Sequence, residues 1–154
     1  MKWLVTFLLA SVTGNQGIQT DEFVKVNTPH RVVVKAGKQS AITVAIDVKT
    51  GYHIQANKVK DEFIIPTTLE INGNDKFVVG KQVFPPPKKF KLEGMDNYLE
   101  VYDGRFDVRS LITTTRNVQK DVYRLNAKLN YQACDSIRCF SPRTVEFLIE
   151  IDVQ

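Results

Sequence analysis

Strict alternation of apolar and polar residues is the feature of this chain that most restricts its fold. In Ala41–Val48, Ile42, Val44, Ile46 and Val48 point one way while Thr43 and Asp47 point the other. From Arg124 to Ala133, Leu125, Ala127, Leu129, Tyr131 and Ala133 alternate with Arg124, Asn126, Lys128, Asn130 and Gln132. From Thr144 to Val153, Val145, Phe147, Ile149 and Ile151 alternate with Glu146, Leu148, Glu150 and Asp152. Successive side chains of a strand leave opposite faces, so a period of two describes half-buried strands, one face on a core and one in water. No stretch carries a convincing 3.6-residue apolar repeat, and helices are not expected to build the fold.

Shorter strand candidates fill the gaps: Phe23–Val26, Arg31–Lys35, Tyr52–Gln55, Thr67–Ile71, Lys76–Val79 and two runs within Tyr98–Thr114. Turn signals separate them at Ala36-Gly37, Thr50-Gly51, Asn72-Gly73-Asn74-Asp75 and Asp103-Gly104. About seven to nine short strands with regular turns point to an all-β, immunoglobulin-like sandwich. A length of 154 residues suits one domain with a real core. Phe84-Pro85-Pro86-Pro87 reads as a stiff connector, since proline cannot donate within a central strand. The buried Trp of many such sandwiches is missing, because the single Trp is Trp3.

The N-terminus has the layout of a secretory signal: Lys2, an apolar run from Trp3 to Ala10, then small and polar residues. Val12 and Gly14 suit a cut after Gly14, although the Ala-x-Ala form is absent. The segment 1–14 is read as the signal, its end no later than about residue 20, and 21–154 as the domain. The apolar run is far below the ~20 residues a spanning helix needs, so no direct membrane span is expected. An exported location follows, where a pair of cysteines is expected to be oxidised. The formal charge of +4 is scattered, and its one dense stretch, Lys88-Lys89-Phe90-Lys91, reads as a solvated loop beside the prolines. Aromatics do not interleave with the basic residues as a nucleic-acid platform requires.

The two cysteines lie in Tyr131-Gln132-Ala133-Cys134-Asp135-Ser136-Ile137-Arg138-Cys139-Phe140-Ser141-Pro142, between two strands of matching pattern. A hairpin with both cysteines in its connecting loop is able to bring them within disulfide reach. As a structural staple, a bridge across so short a loop stabilises little. As an exchange site, an exposed short-loop bridge is open to in-line attack by another thiolate. Arg138 beside Cys139 favours a thiolate there and Asp135 beside Cys134 disfavours one, making Cys139 the better nucleophile or point of attack. The Cys-x4-Cys spacing is not the Cys-x-x-Cys of a thioredoxin helix.

The segment Tyr131-Gln132-Ala133-Cys134…Cys139-Phe140-Ser141-Pro142…Thr144-Val145 resembles the redox hairpin of the N-terminal periplasmic domain of DsbD, a thiol:disulfide interchange protein. Gly51-Tyr52-His53-Ile54, Asp61-Glu62-Phe63-Ile64-Ile65-Pro66-Thr67, Phe84-Pro85 and Val101-Tyr102-Asp103-Gly104 agree with it in order. The resemblance implies an immunoglobulin-like fold and a redox-active pair, Cys139 forming mixed disulfides and Cys134 resolving them. It implies a thioredoxin-like domain or membrane electron transporter as donor and oxidised periplasmic thiol proteins as clients. The chain would then act as a protein-disulfide reductase component, needing no metal or organic cofactor because the cysteines carry the electrons. With neither a membrane segment nor a thioredoxin-like domain in the sequence, donor and client are expected to be separate proteins. The resemblance also implies a cap loop shielding the pair. The matching region is Gly94-Met95-Asp96-Asn97-Tyr98, without the aromatic-Tyr-Gly form, so Met95 and Tyr98 are the cap candidates. Tyr102, Tyr131 and Phe140 are further candidates for the pocket.

The rival reading is a non-catalytic immunoglobulin-like binding module with a structural disulfide. A zinc site from His30, His53 and the cysteines is disfavoured by spacing unlike any finger. Asp61-Glu62 is an adjacent acid pair, but neighbouring strand residues point to opposite faces. No phosphate loop, dinucleotide fingerprint or Ser/His/Asp arrangement is present.

Overall fold

A computed structural model describes residues 18–154; the signal segment inferred above lies outside them. The described residues form thirteen strands and no helix: β1 (Ile18–Thr20), β2 (Val24–Asn27), β3 (Val32–Val34), β4 (Gln39–Val48), β5 (His53–Gln55), β6 (Thr68–Ile71), β7 (Phe77–Val79), β8 (Lys88–Phe90), β9 (Leu99–Tyr102), β10 (Arg105–Thr114), β11 (Asp121–Tyr131), β12 (Ala133–Cys134) and β13 (Arg143–Val153). All-β architecture is therefore observed as the alternation requires. The strand number exceeds the seven to nine expected because β1, β8 and β12 are only two or three residues long, too short for alternation to register.

Two sheets make the sandwich. One runs β1-β2-β4-β10-β7, the other β3-β13-β11-β6. All pairings in them are antiparallel except β13 with β3, which is parallel. Ile42, Val44, Ile46, Val108 and Ile112 of the first sheet meet Leu125, Leu129, Phe147, Ile149 and Ile151 of the second in one continuous apolar core. The polar partners predicted from alternation lie outside: Arg124, Lys128 and Glu150 form ion pairs on the outer face, Arg124 with Glu150 and Lys128 with Glu70. Such exposed pairs contribute little; burial of the inner faces is the dominant favourable term.

A third sheet, β12-β5-β9-β8, builds the end of the molecule that carries the cysteines. Its Ile54 and Tyr102 reach into the main core. Its Val101 and Leu99 form a small separate cluster with Leu92, against which Ile64, Phe90 and Met95 pack. Strand β8 corrects the loop expected at Lys88–Lys91: Lys88, Lys89 and Phe90 pair with Val101, Glu100 and Leu99. Exposed lysines on a short outermost strand are a common guard against edge pairing, and Lys88 also pairs with Asp103. Gly51 adopts φ 86°, the left-handed turn that lets the chain leave β4 and enter β5, where a side chain would be strained.

Leu129 is fully buried and sits opposite both Leu69 and Val145. Leu129→Ala is expected to lower unfolding free energy by about 3 kcal/mol, whereas Leu148→Ser on the outer face changes it by less than about 0.5 kcal/mol. Urea denaturation of both variants checks the contrast.

Candidate functional site

The β11–β13 ladder ends at Tyr131 opposite Arg143, and residues 132–142 cross between the strands. Within this crossing the chain makes a second, miniature hairpin. Phe140 N–H donates to the Ala133 carbonyl at 2.8 Å and Asp135 N–H to the Arg138 carbonyl at 2.9 Å. Cys134 and Cys139 face each other between these bonds as an antiparallel bridge. Residues opposed at such a position approach closely, and here the Cα atoms are 3.9 Å apart with the sulfurs joined in a disulfide. The Asp135 carboxylate closes the turn by accepting from the N–H groups of Ile137 and Arg138, both at 2.8 Å. Those bonds hold its pKa below the ordinary carboxylate value.

The disulfide is one-sided. Cys134 is 0% exposed and belongs to β12, paired opposite His53 of β5, while Cys139 is exposed. The sequence reading placed both cysteines in an exposed loop; the pairing of β12 with β5 is what buries Cys134. Beneath the sulfurs lies Gln55, 1% exposed. Its Nε2 donates to Cys134 Sγ at 3.1 Å and reaches Cys139 Sγ at 3.7 Å. Its backbone is fixed from both sides, N–H to the Gln132 carbonyl at 3.1 Å and carbonyl to Thr67 Oγ1 at 2.5 Å. Gln55 Oε1 and His53 Nε2 are buried and find no hydrogen-bond partner among the described residues. His53 packs against Phe90 with the rings tilted by 39° and their centroids 3.8 Å apart, and burial lowers its pKa despite the opposing charges of Asp103 and Asp135.

The structure sorts the candidates drawn from the sequence. Arg138 is held by its own hairpin, 4.0 Å from the Asp135 carboxylate and 5.0 Å over the Phe140 ring. Phe140 in turn packs on Phe23, which also contacts Tyr52. Tyr131 is fully buried and donates to Asp21 at 2.9 Å, beside Arg143; burial raises its pKa. Tyr102 stacks between Phe84 and Phe106 and donates to Asn57 at 2.7 Å. Both tyrosines thus hold their hydroxyls on partners other than the sulfurs. Met95 and Tyr98 line a groove of about 570 Å³ that also includes Gln55, Lys60, Asp61 and Ile64. Their loop is tied to the cysteine hairpin by Glu93 N–H donating to the Ser136 carbonyl at 3.0 Å.

Three residues escaped assignment in the sequence. Gln55 carries a detectable signal, a polar residue at the end of the strand-like run Tyr52–Gln55. Gln132 links elements that the sequence cannot show to be adjacent: its amide donates to the Phe140 carbonyl and accepts from Ile65 N–H, both at 3.1 Å. Phe63 is 85% exposed on the segment so tethered, whose Lys60, Asp61 and Ile64 line the groove. Of the zinc candidates, His30 is exposed and His53 buried, and among the described residues no group of three or more His, Cys, Asp or Glu is placed to hold a metal.

Two expectations follow. In the reduced protein, iodoacetamide is expected to alkylate Cys139 at least about tenfold faster than buried Cys134, read by peptide mass spectrometry. The folded His53 pKa lies below its ordinary 6.5, so the unfolded chain binds the proton first. Stability from this group is complete above pH 6.5 and declines as pH falls through the window between the two values. Asp21 and Asp135 act only lower, below the ordinary 3.8. His53→Phe is expected to flatten the upper part of a pH series of urea midpoints.

Comparison with known proteins supports the fold and the family. The N-terminal periplasmic domain of ScsB from Proteus mirabilis superposes with TM-score 0.58 at 14% identity, covering 89% of this chain and 50% of that one. The chain thus spans half of that structure. The reduced N-terminal domain of DsbD from Neisseria meningitidis superposes with TM-score 0.50 at 19% identity, covering 76% of this chain and 82% of that one. Those likenesses place the fold among immunoglobulin-like sandwiches. No curated protein sequence matches. The family model of the thiol:disulfide interchange protein DsbD, N-terminal, matches residues 20–151, and the chain belongs to that family.

Proposed function

We propose that this chain is an exported thiol–disulfide exchange protein that passes electrons through Cys134 and Cys139. The observation that carries the reading is the one-sided disulfide: Cys139 faces solvent while Cys134 is buried behind it. A thiolate approaching from solvent meets Cys139 Sγ along the S–S axis, with Cys134 Sγ as leaving group. Attack forms a bond from the partner sulfur to Cys139 and breaks the Cys134–Cys139 bond, its electron pair leaving on Cys134. A second partner thiolate then attacks the mixed disulfide on the partner's own sulfur. The partner is released oxidised and the domain keeps two electrons as a dithiol. Donation to a client reverses these steps, Cys139 attacking and Cys134 resolving. The cycle makes the chain a protein-disulfide reductase component and needs no cofactor.

A thioredoxin-like domain or membrane electron transporter suits the donor role, and oxidised periplasmic thiol proteins suit the client role. Support comes from the family, from the similarity to the periplasmic ScsB domain, and from the signal-like segment 1–14. Among the described residues no helix is long and apolar enough to cross a membrane. Tyr98, 63% exposed, and Met95 line the groove that reaches Gln55, together with Lys60, Asp61 and Ile64 of the segment bearing Phe63. We assign cap duty to this lining, with Phe63 added to Met95 and Tyr98. Phe140 shapes the rim, and Arg138 sets the charge beside Cys139.

Cys134→Ser in the full chain, incubated with an envelope extract, is expected to trap a discrete thioredoxin-like or isomerase partner through Cys139, seen on a non-reducing gel. Cys139→Ser is expected to trap none. Equal glutathione adducts or homodimers from both variants would overturn the relay in favour of the structural bridge. A bridge potential between about −120 and −270 mV fits exchange, and one below about −300 mV a staple.

A further inference from the structure

We propose that Gln55 is a catalytic residue of the exchange reaction, its side-chain amide receiving the charge that leaves on Cys134. The inference rests on the exchange reading for the direction of attack. When a thiolate bonds to Cys139 Sγ, the electron pair of the broken S–S bond departs on Cys134 Sγ. That atom belongs to a residue with no exposure to water, and an unsolvated anion is costly there. The only side-chain donor placed on it among the described residues is Gln55 Nε2, at 3.1 Å. Its second reach, 3.7 Å to Cys139 Sγ, keeps the same N–H group between both sulfurs, so the donor is in place before the bond breaks. A hydrogen bond to a charged acceptor is roughly twice as strong as a neutral one. The amide therefore favours the separated thiolate over the intact disulfide, which is the difference catalysis requires.

The surroundings keep that donor aimed. Gln55 backbone groups are bound to Gln132 and Thr67 on either side, and the residue is 1% exposed, so little solvent reaches Nε2. A lysine or arginine here would add a buried charge of its own, whereas an amide supplies a dipole without one. The unpartnered Oε1 fits the same role. A disulfide has no proton to offer it, but protonated Cys134 is a donor. Rotation of the carboxamide about the Cγ–Cδ bond then exchanges Nε2 for Oε1 at the sulfur, and the group that stabilised the thiolate accepts from the thiol. His53, opposite Cys134, has its charged form disfavoured by burial and so does not replace the amide as a source of positive charge.

The test uses the full chain and dithiothreitol, so that no partner is involved. Gln55→Met keeps volume and removes the donor; Gln55→Leu removes it with a branched apolar side chain. Both are expected to slow reduction of the Cys134–Cys139 disulfide at fixed pH by between about ten- and a hundredfold. In Cys139→Ser, adding Gln55→Met is expected to diminish the ultraviolet thiolate absorbance of Cys134 at mildly alkaline pH. Thermal unfolding of each variant reports folding. A folded Gln55→Met chain reduced at the wild-type rate would overturn the proposal. The wild type supplies a measurement that needs no variant: the Gln55 side-chain amide proton resonances are expected to move when the disulfide is reduced, and unmoved resonances would also overturn it. Gln55-dependent reduction by dithiothreitol in a chain that traps no partner keeps this inference and sinks the relay. Normal partner trapping with a Gln55-independent rate does the reverse.

Discussion

The ladder between β11 and β13 is the constraint on which the rest of the molecule depends. Its register runs unbroken from Asp121 opposite Val153 to Tyr131 opposite Arg143. One face of it supplies Leu125, Leu129, Phe147, Ile149 and Ile151 to the core. Because side chains alternate with a period of two, a slip of one residue would turn that apolar set toward water. The same register decides where the ladder stops, and hence where the cysteine crossing begins. At that end Arg143 is held to Asp21 and Glu22 and lies 4.9 Å over the Phe23 ring. Fold stability and site geometry thus share one set of hydrogen bonds.

At the sulfurs, the protein uses neutral polar groups where burial is complete and charged groups where water remains. Gln55 and His53 sit inside; Arg138 and Asp135 sit on the outer turn. Charge close to Cys139 is screened by solvent and costs little to place. A fixed dipole close to Cys134 works in a medium where electrostatic interactions are stronger. The division follows the asymmetry of the disulfide itself, with one sulfur meeting partners and the other meeting only the protein.

Much of this was legible in the sequence, for reasons that differ by element. The long strands β4, β11 and β13 announce themselves because several alternations accumulate in each, whereas the ten-residue β10 is legible only as one of two short runs within Tyr98–Thr114. Thr50-Gly51 and Asp103-Gly104 were readable because glycine after a polar residue has a specific backbone use. β8 and β12 were not, since two or three residues contain no period, and β8 is a strand only because β9 lies beside it. The cysteine pair was visible from its flanks, but its one-sided burial was not. That burial comes from β5, some 80 residues earlier in the chain. The same distance hid Gln55 from any argument about the cysteines: a glutamine at the end of an apolar run shows that something polar is buried, and only the fold shows that it is a sulfur. The cap candidates Met95 and Tyr98 follow from the resemblance, whereas Phe63 is marked only by its 85% exposure, which alternation does not reveal.

The parallel pairing of β13 with β3 joins the last strand to one near the start of the described chain, and this has a consequence for the order of events during synthesis. The miniature hairpin is closed by residues five apart, so cysteine pairing requires only a local loop, and short loops close quickly. The β3-β13-β11-β6 sheet, by contrast, lacks β13 until residues 143–153 have emerged. A nascent chain therefore carries both thiols in the open before its core is complete. In that interval the two cysteines meet oxidants and other thiols as an ordinary flexible peptide does, and the difference between them arrives once β12 has paired with β5.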